Sequence, residues 1–214
     1  ATLLANTFVN SQVETVKNWI ETVATSVALD QPAQAELRHA AALLDRRPKV
    51  VVLGDYSSGK TSLIKRLLAE VGEETPPSLQ IDARSATREA SHYRFGPLEL
   101  VDAPGFQSGN DEHDALALEA SKEAAITLVV LHVNLLIGDT SRLERLLLGD
   151  PVAVGKAART IFVIGRTDEI GVDPIVSPSE FIVRRHRKID ELLSILDSRS
   201  LHVERSHVLA LAAE

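Results

Sequence analysis

The sequence predicts an α/β protein: a doubly wound, mostly parallel sheet preceded by an N-terminal helical hairpin. Three observations carry this. From residue 49 onward, apolar runs of strand length alternate with helical patterns. The first of these runs, residues 50–53, passes through a glycine-containing turn directly into an apolar helical pattern. Before Pro48 the pattern is helical only, so the chain divides into residues 1–47 and 48–214.

In the first part, Val9, Val13, Val16, Ile20, Val23 and Val27 alternate spacings of four and three, a heptad seam. Valine is a mediocre helix former, so packing must hold this helix. Asp30-Gln31-Pro32 reads as a stop and restart, with Pro32 in the first turn of the next helix. Leu37, Ala40, Ala41 and Leu44 give that helix its apolar face. Two readings stay open: helices packed on the domain's own surface, or an arm that pairs with other helices or another copy.

In the second part, residues 50–53 form a continuous apolar run suited to a buried parallel strand. Residues 62–71 read as a helix. Residues 91–95 and 98–101 read as a strand pair joined by Gly96-Pro97. Residues 126–133, 160–164 and 207–211 are further strands, with helices over roughly 112–125, 140–149 and 178–197.

The chain has 214 residues, 44% apolar and 25% charged, with a formal net charge of −7. That charge argues against nucleic acid as a partner. No cysteine is present, which excludes disulfides and thiolate metal sites. No run of 18 apolar residues and no signal peptide is visible, so a cytoplasmic protein is expected. The lack of methionine and the start at Ala1 read as an excised domain or part of a longer protein.

The turn after the first strand, Gly54-Asp55-Tyr56-Ser57-Ser58-Gly59-Lys60-Thr61, matches G-x-x-x-x-G-K-S/T between a strand and a helix. In that context the amides of residues 57–61 face phosphate oxygens at a helix N-terminus. Gly59 lets the backbone approach, Lys60 reaches the β- and γ-phosphates, and Thr61 offers its hydroxyl to Mg²⁺. Tyr56, Ser57, Ser58 and Ser62 complete the candidate cradle. Next, "LELVDAPGF" ends a strand in Asp102, a candidate for Mg²⁺, with Gly105 three residues on as an amide for the γ-phosphate. A sensor loop needs a threonine that meets both Mg²⁺ and the γ-phosphate; Thr87 is the choice, with Ser85 and Thr75 as competitors. Gln107 is a further candidate for the attacking water.

The base should be read after residues 160–164, at "GRTD". A guanine pocket carries Asn-Lys-x-Asp there. Here Asp168 remains to accept from the guanine edge, Arg166 replaces Lys with a planar group that can stack, and Gly165 stands where Asn would be, so the tie that this Asn makes to the cradle is lost. Guanine is favoured over adenine. Ala212 and Ala213 stand where a short loop would bring an amide to the guanine oxygen, and the closing helix expected next is missing.

On "VVLGDYSSGKTSLIKRLL", "ELVDAPGF" and "RTDE", residues 48–214 resemble a GTPase of the dynamin-like superfamily, most of all its bacterial members. The resemblance implies a G domain that binds and hydrolyses GTP with Mg²⁺ and self-associates through its nucleotide face. It implies that residues 1–47 belong to a neck or bundle, and that membrane surfaces are engaged through regions outside this chain, with membrane remodelling as the usual outcome. Two departures stand out. Phe106, not Gln, follows Gly105, and Tyr56 stands where the eukaryotic dynamins carry Gln, although Ser57 matches their serine. The site residues implied for catalysis are then Lys60, Ser57 and Thr87, and slow hydrolysis by the isolated chain is expected. The alternatives are a slow or inactive G domain serving as a switchable scaffold, and an ATP-using P-loop protein. The basic run at residues 184–188 reads as a solvated helix face before a headgroup contact, and the acidic stretch 111–114 as a solvated switch loop.

Overall fold

The computed structural model describes residues 2–26, 28–44, 46–54, 57–76, 79, 90–103, 111–135, 141–149 and 155–212. By contacts it separates into two compact units, residues 1–47 and 48–214.

The first unit is a pair of helices, α1 (Thr2–Ser26) and α2 (Gln31–Leu44), packed on each other. Asp30 starts α2: its carbonyl accepts the first intrahelical bond, from the Gln34 amide at 3.0 Å, and its carboxylate accepts the Ala33 amide at 2.9 Å, a donor that has no helical partner. Pro32 sits in the first turn, where its missing N–H costs nothing. The heptad seam is only partly buried. Ile20 is buried and Val13 and Val23 half-buried, but Val16 and Trp19 are exposed. Val9 and Val27 lie outside the described side chains.

The second unit is a six-stranded sheet of order β2-β3-β1-β4-β5-β6. Its strands are β1 (Lys49–Gly54), β2 (Ser91–Phe95), β3 (Leu98–Asp102), β4 (Ala124–His132), β5 (Thr160–Gly165) and β6 (Val208–Ala210). All neighbours are parallel except β2 and β3, which pair antiparallel across the two-residue turn Gly96-Pro97, with Phe95 opposite Leu98. Helices α3 (Lys60–Glu70), α4 (Asp111–Lys122), α5 (Ser141–Leu148) and α6 (Pro178–Asp197) cover the sheet. The acidic stretch 111–114, expected as a switch loop, is therefore helical backbone, opening α4.

The continuous apolar runs reflect burial on both sheet faces. In β1, Val51 and Leu53 face a core shared with Leu131, Phe162, Ile164, Leu143, Leu192 and Leu196. Val50 and Val52 face the opposite core, built with Leu63, Ile64 and Leu68 of α3. Lys156 locks the lower edge. Its ammonium donates to the carbonyls of Lys122 at 2.5 Å and Ala124 at 3.2 Å, satisfying the end of α4. Burial, and then the nearby Arg159 charge, lower its pKa. No helix among the described residues is long and apolar enough to cross a membrane.

Among the described residues two buried hydroxyls have no hydrogen-bond partner, those of Thr127 in β4 and of Thr167 just after β5, and Thr127 is fully buried. A buried, unbonded hydroxyl is a cost without a return. Thr127→Val should raise stability by about 1 kcal/mol, read as a higher urea midpoint with an unchanged slope.

Candidate functional site

The cradle forms where β1 delivers the chain to the open edge of the sheet. Gly54 ends the strand because nothing larger fits: a Cβ there would stand 2.6 Å from the Val130 carbonyl oxygen and 3.0 Å from the Ser58 hydroxyl oxygen. Ser57 (φ 63°) and Gly59 (φ 89°) are both left-handed, and they turn the backbone back on itself before α3 begins. The first intrahelical bond runs from the Leu63 amide to the Gly59 carbonyl at 2.9 Å, so the amides ahead of it have no earlier helical turn to bond. Ser58 is fully buried, Ser57 exposed, and Thr61 and Ser62 half-buried in the first turn. Tyr56 lies outside the described residues.

Lys60 and Asp102, 42 residues apart in sequence, meet here. Parallel pairing of β1 with β3 sets Val52 beside Asp102 and so brings the strand end to the cradle. The Lys60 ammonium donates to the Asp102 carboxylate and to the Ala103 carbonyl, each at 2.5 Å, and both side chains are nearly buried. Tyr93 of β2 stands near the same charge. Burial raises its pKa, a hydrogen bond with Ser91 opposes this, and the Asp102 charge raises it again. Thr87, Ser85, Gly105, Phe106 and Gln107 fall outside the described residues. Thr75 is placed, exposed, after α3.

The candidate base-side group follows the end of β5. Asp168 is exposed in a short 3₁₀ turn, Thr167–Ile170. Arg166 precedes that turn in the left-handed region (φ 56°). Its side-chain Cγ lies 3.5 Å from where a Gly59 Cβ would stand, so the arginine stem crosses the cradle glycine. Ala213 lies outside the described residues. A groove of about 610 Å³ between the end of β4, the 3₁₀ turn and α6 includes Glu169, Arg184 and Lys188, but no cradle residue lines it. In the basic run, Arg184 pairs with Glu180 and Lys188 with Glu191, which makes much of it a compensated helix surface.

Two features of the site go beyond the sequence reading. Gly165 is packed so closely against the cradle that a Cβ there would run into the Ser58 carbonyl oxygen. Glu169 joins Arg166 on one side and His132 on the other. Glycine at the place of the motif's Asn was the visible signal for the first. The second depends on the β4–β5 register, which sets His132 beside Gly165 and is not visible in local sequence.

Strand order, cradle, Asp102 strand end and Asp168 turn together define the GTP-binding G domain of a P-loop GTPase. The sequence pattern of the family described as 50S ribosome-binding GTPase matches residues 49–164, more than half of the chain, and the chain belongs to that family. Among curated proteins, the tRNA modification GTPase MnmE of Lactococcus lactis subsp. cremoris (strain MG1363) is 31% identical over 128 residues, covering 56% of this chain and 26% of MnmE. The chain thus spans about a quarter of the length of that relative. Among solved structures, LeoA, a bacterial dynamin GTPase from ETEC, shares the fold with a TM-score of 0.58 at 20% identity, covering 94% of this chain and 36% of LeoA. A dimerization-deficient mutant of Toc33 from Arabidopsis thaliana has a TM-score of 0.54 at 14% identity, covering 87% of this chain and 81% of Toc33.

The Gly165 packing yields a prediction against the motif. Gly165→Asn restores the usual guanine-box residue, yet its Cβ has no room beside Ser58. The variant should lose about 1–3 kcal/mol of stability and bind GDP more weakly than the parent, as measured by urea unfolding and fluorescent-GDP titration.

Proposed function

We propose that the protein is a GTP-hydrolysing, dynamin-like GTPase whose G domain pairs with a second G domain across the nucleotide, with membrane engagement supplied by regions outside this chain. The observation that carries the dynamin-like part is coverage. The likeness to LeoA takes in 94% of the chain, whereas residues 48–214 are 167 of 214, or 78%. Helices of the first unit therefore take part in it, more fully than in the match to Toc33, which takes in 87% of the chain. The likeness to Toc33, whose dimerization-deficient mutant is among the matching structures, supports pairing of such domains.

In this reading, the cradle amides of residues 57–61, with Ser62, surround the phosphates at the N-terminus of α3. Lys60 turns its ammonium from Asp102 toward the β- and γ-phosphates. Arg166 and Asp168 take the base, with Asp168 accepting from the guanine edge and Ala213 supplying an amide. Mg²⁺ fits the donor set: the Thr61 hydroxyl and the Asp102 carboxylate are hard oxygens beside a phosphate cradle, and Thr87 is the third candidate. When bound, Mg²⁺ neutralises charge on the β- and γ-oxygens. Gly105 offers its amide to the γ-phosphate. Thr87 holds the attacking water through its backbone, and Ser57 and Lys60 meet the developing charge.

Asp168→Asn exchanges an acceptor pair for an amide, so GDP binding should fall at least about tenfold while xanthosine diphosphate binding rises. Competition against a fluorescent guanine nucleotide measures both. Unchanged preference would move the base away from Asp168.

Phe106 in place of glutamine leaves the chain without the usual water-orienting group after Gly105. Hydrolysis should then be slow in dilute solution and rise per molecule by at least about tenfold as protein concentration increases. Phosphate release across a wide concentration range checks this. A constant, fast specific rate excludes activation by pairing. Tight GTP binding with no hydrolysis at any concentration favours a switchable scaffold.

A further inference from the structure

We infer that Glu169 is a positioning residue for the base site: it holds Arg166 across the cradle, replacing the tie that an asparagine at position 165 would have made. The inference rests on the guanine-nucleotide reading of the same site.

Arg166 occupies a backbone conformation that a long side chain adopts at a cost (φ 56°). Something must keep it there. The stem is held from below by Gly59, 3.5 Å from Cγ to the glycine's Cβ position. The guanidinium is held by Glu169, through an ion pair three residues along. The Glu169 amide donates to the Arg166 carbonyl at 3.0 Å, which closes the chain into a turn with the two side chains within ion-pair reach.

Glu169 is fixed in turn. Its other carboxylate oxygen lies 3.3 Å from His132 Nε2. His132 Nδ1 accepts the Asn134 amide at 3.1 Å, which leaves the ring proton on Nε2 to be donated to Glu169. One oxygen of Glu169 thus serves Arg166 and the other His132, so the carboxylate rotamer is set from the end of β4. The chain His132–Glu169–Arg166–Gly59 runs from one strand end to the phosphate cradle.

An ordinary surface ion pair is the competing account. The Arg166 and Glu169 side chains are 42% and 36% exposed, and such pairs add little to stability. The two accounts differ in what is lost. A positioning role shows in nucleotide affinity and depends on Arg166; a structural role does neither.

The experiment is a double-mutant cycle on the full chain, with fluorescent GDP as the probe and the melting temperature of the nucleotide-free protein as control. Glu169→Ala should weaken GDP binding about fivefold and leave the melting temperature nearly unchanged. Glu169→Gln, which keeps an acceptor, should recover part of the loss. Arg166→Ala should weaken binding at least as much, and in that background Glu169→Ala should change affinity less than about twofold. Unchanged affinity in Glu169→Ala overturns the inference. So does an equal loss with and without Arg166, since Glu169 would then act through something else. Failure of the parent chain to bind GDP is a separate result: it overturns the guanine-nucleotide reading, and this inference with it.

Discussion

The constraint on which the ligand-facing edge depends is a backbone-to-backbone approach between three elements. The first turn of the cradle lies against the Val130 carbonyl of β4 and against the end of β5, and it does so because Gly54 and Gly165 carry no Cβ. Hydrogen-bonded parallel strands hold β1, β4 and β5 in a fixed register, with Gly54 beside Val130 and His132 beside Gly165. The cradle is therefore seated on rigid strand ends. A phosphate site needs amides that already point inward before the ligand arrives, and such seating keeps the left-handed Ser57 and Gly59 from relaxing.

Charge at the site follows from the same seating. Lys60 opens α3 and Asp102 closes β3, and the Val52–Asp102 pairing makes them neighbours. Two nearly buried, opposite charges so placed satisfy one another, and the Ala103 carbonyl takes a second ammonium proton. Either partner alone would leave a buried charge without a counter-ion. Under the proposed function both groups would engage a nucleoside triphosphate and its divalent cation, so binding would separate a pair that the free site holds together.

Much of the fold was legible in the sequence, because each strand from β1 to β5 is buried on both faces or forms a turn with a strong local signal. Strand β4 begins two residues earlier than its apolar run, at Ala124, because pairing with β1 recruits alanines of weak strand preference. Among the described side chains of the heptad seam, only Ile20 is buried. Val16 fits the period but is exposed, since a periodic pattern states which face can be buried and not whether a second helix reaches all of it. At the candidate site, placements within local sequence were readable: the strand-to-helix turn at residues 57–60, Asp102 at the end of β3, and Asp168 just past β5. Contacts set by sheet order were not. No local pattern links His132 to Glu169, or Gly165 to Ser58.

Those unreadable contacts change how the "GRTD" segment is understood. Taken residue by residue, it resembles a guanine box with two replacements, Asn by Gly and Lys by Arg. In the structure these are one arrangement. Glycine at position 165 lets the end of β5 close onto Ser58, which leaves no space there for an asparagine side chain. With the strand end that close, the next residue leaves in the left-handed region and its stem falls across Gly59. An arginine suits that position better than a lysine, since its planar, forked head can be pinned by one carboxylate while its stem stays on the glycine. Glu169 supplies the carboxylate, and His132 fixes Glu169 from the neighbouring strand. The segment thus carries Asp168 together with a close backbone contact at Gly165 and an ion-paired arginine.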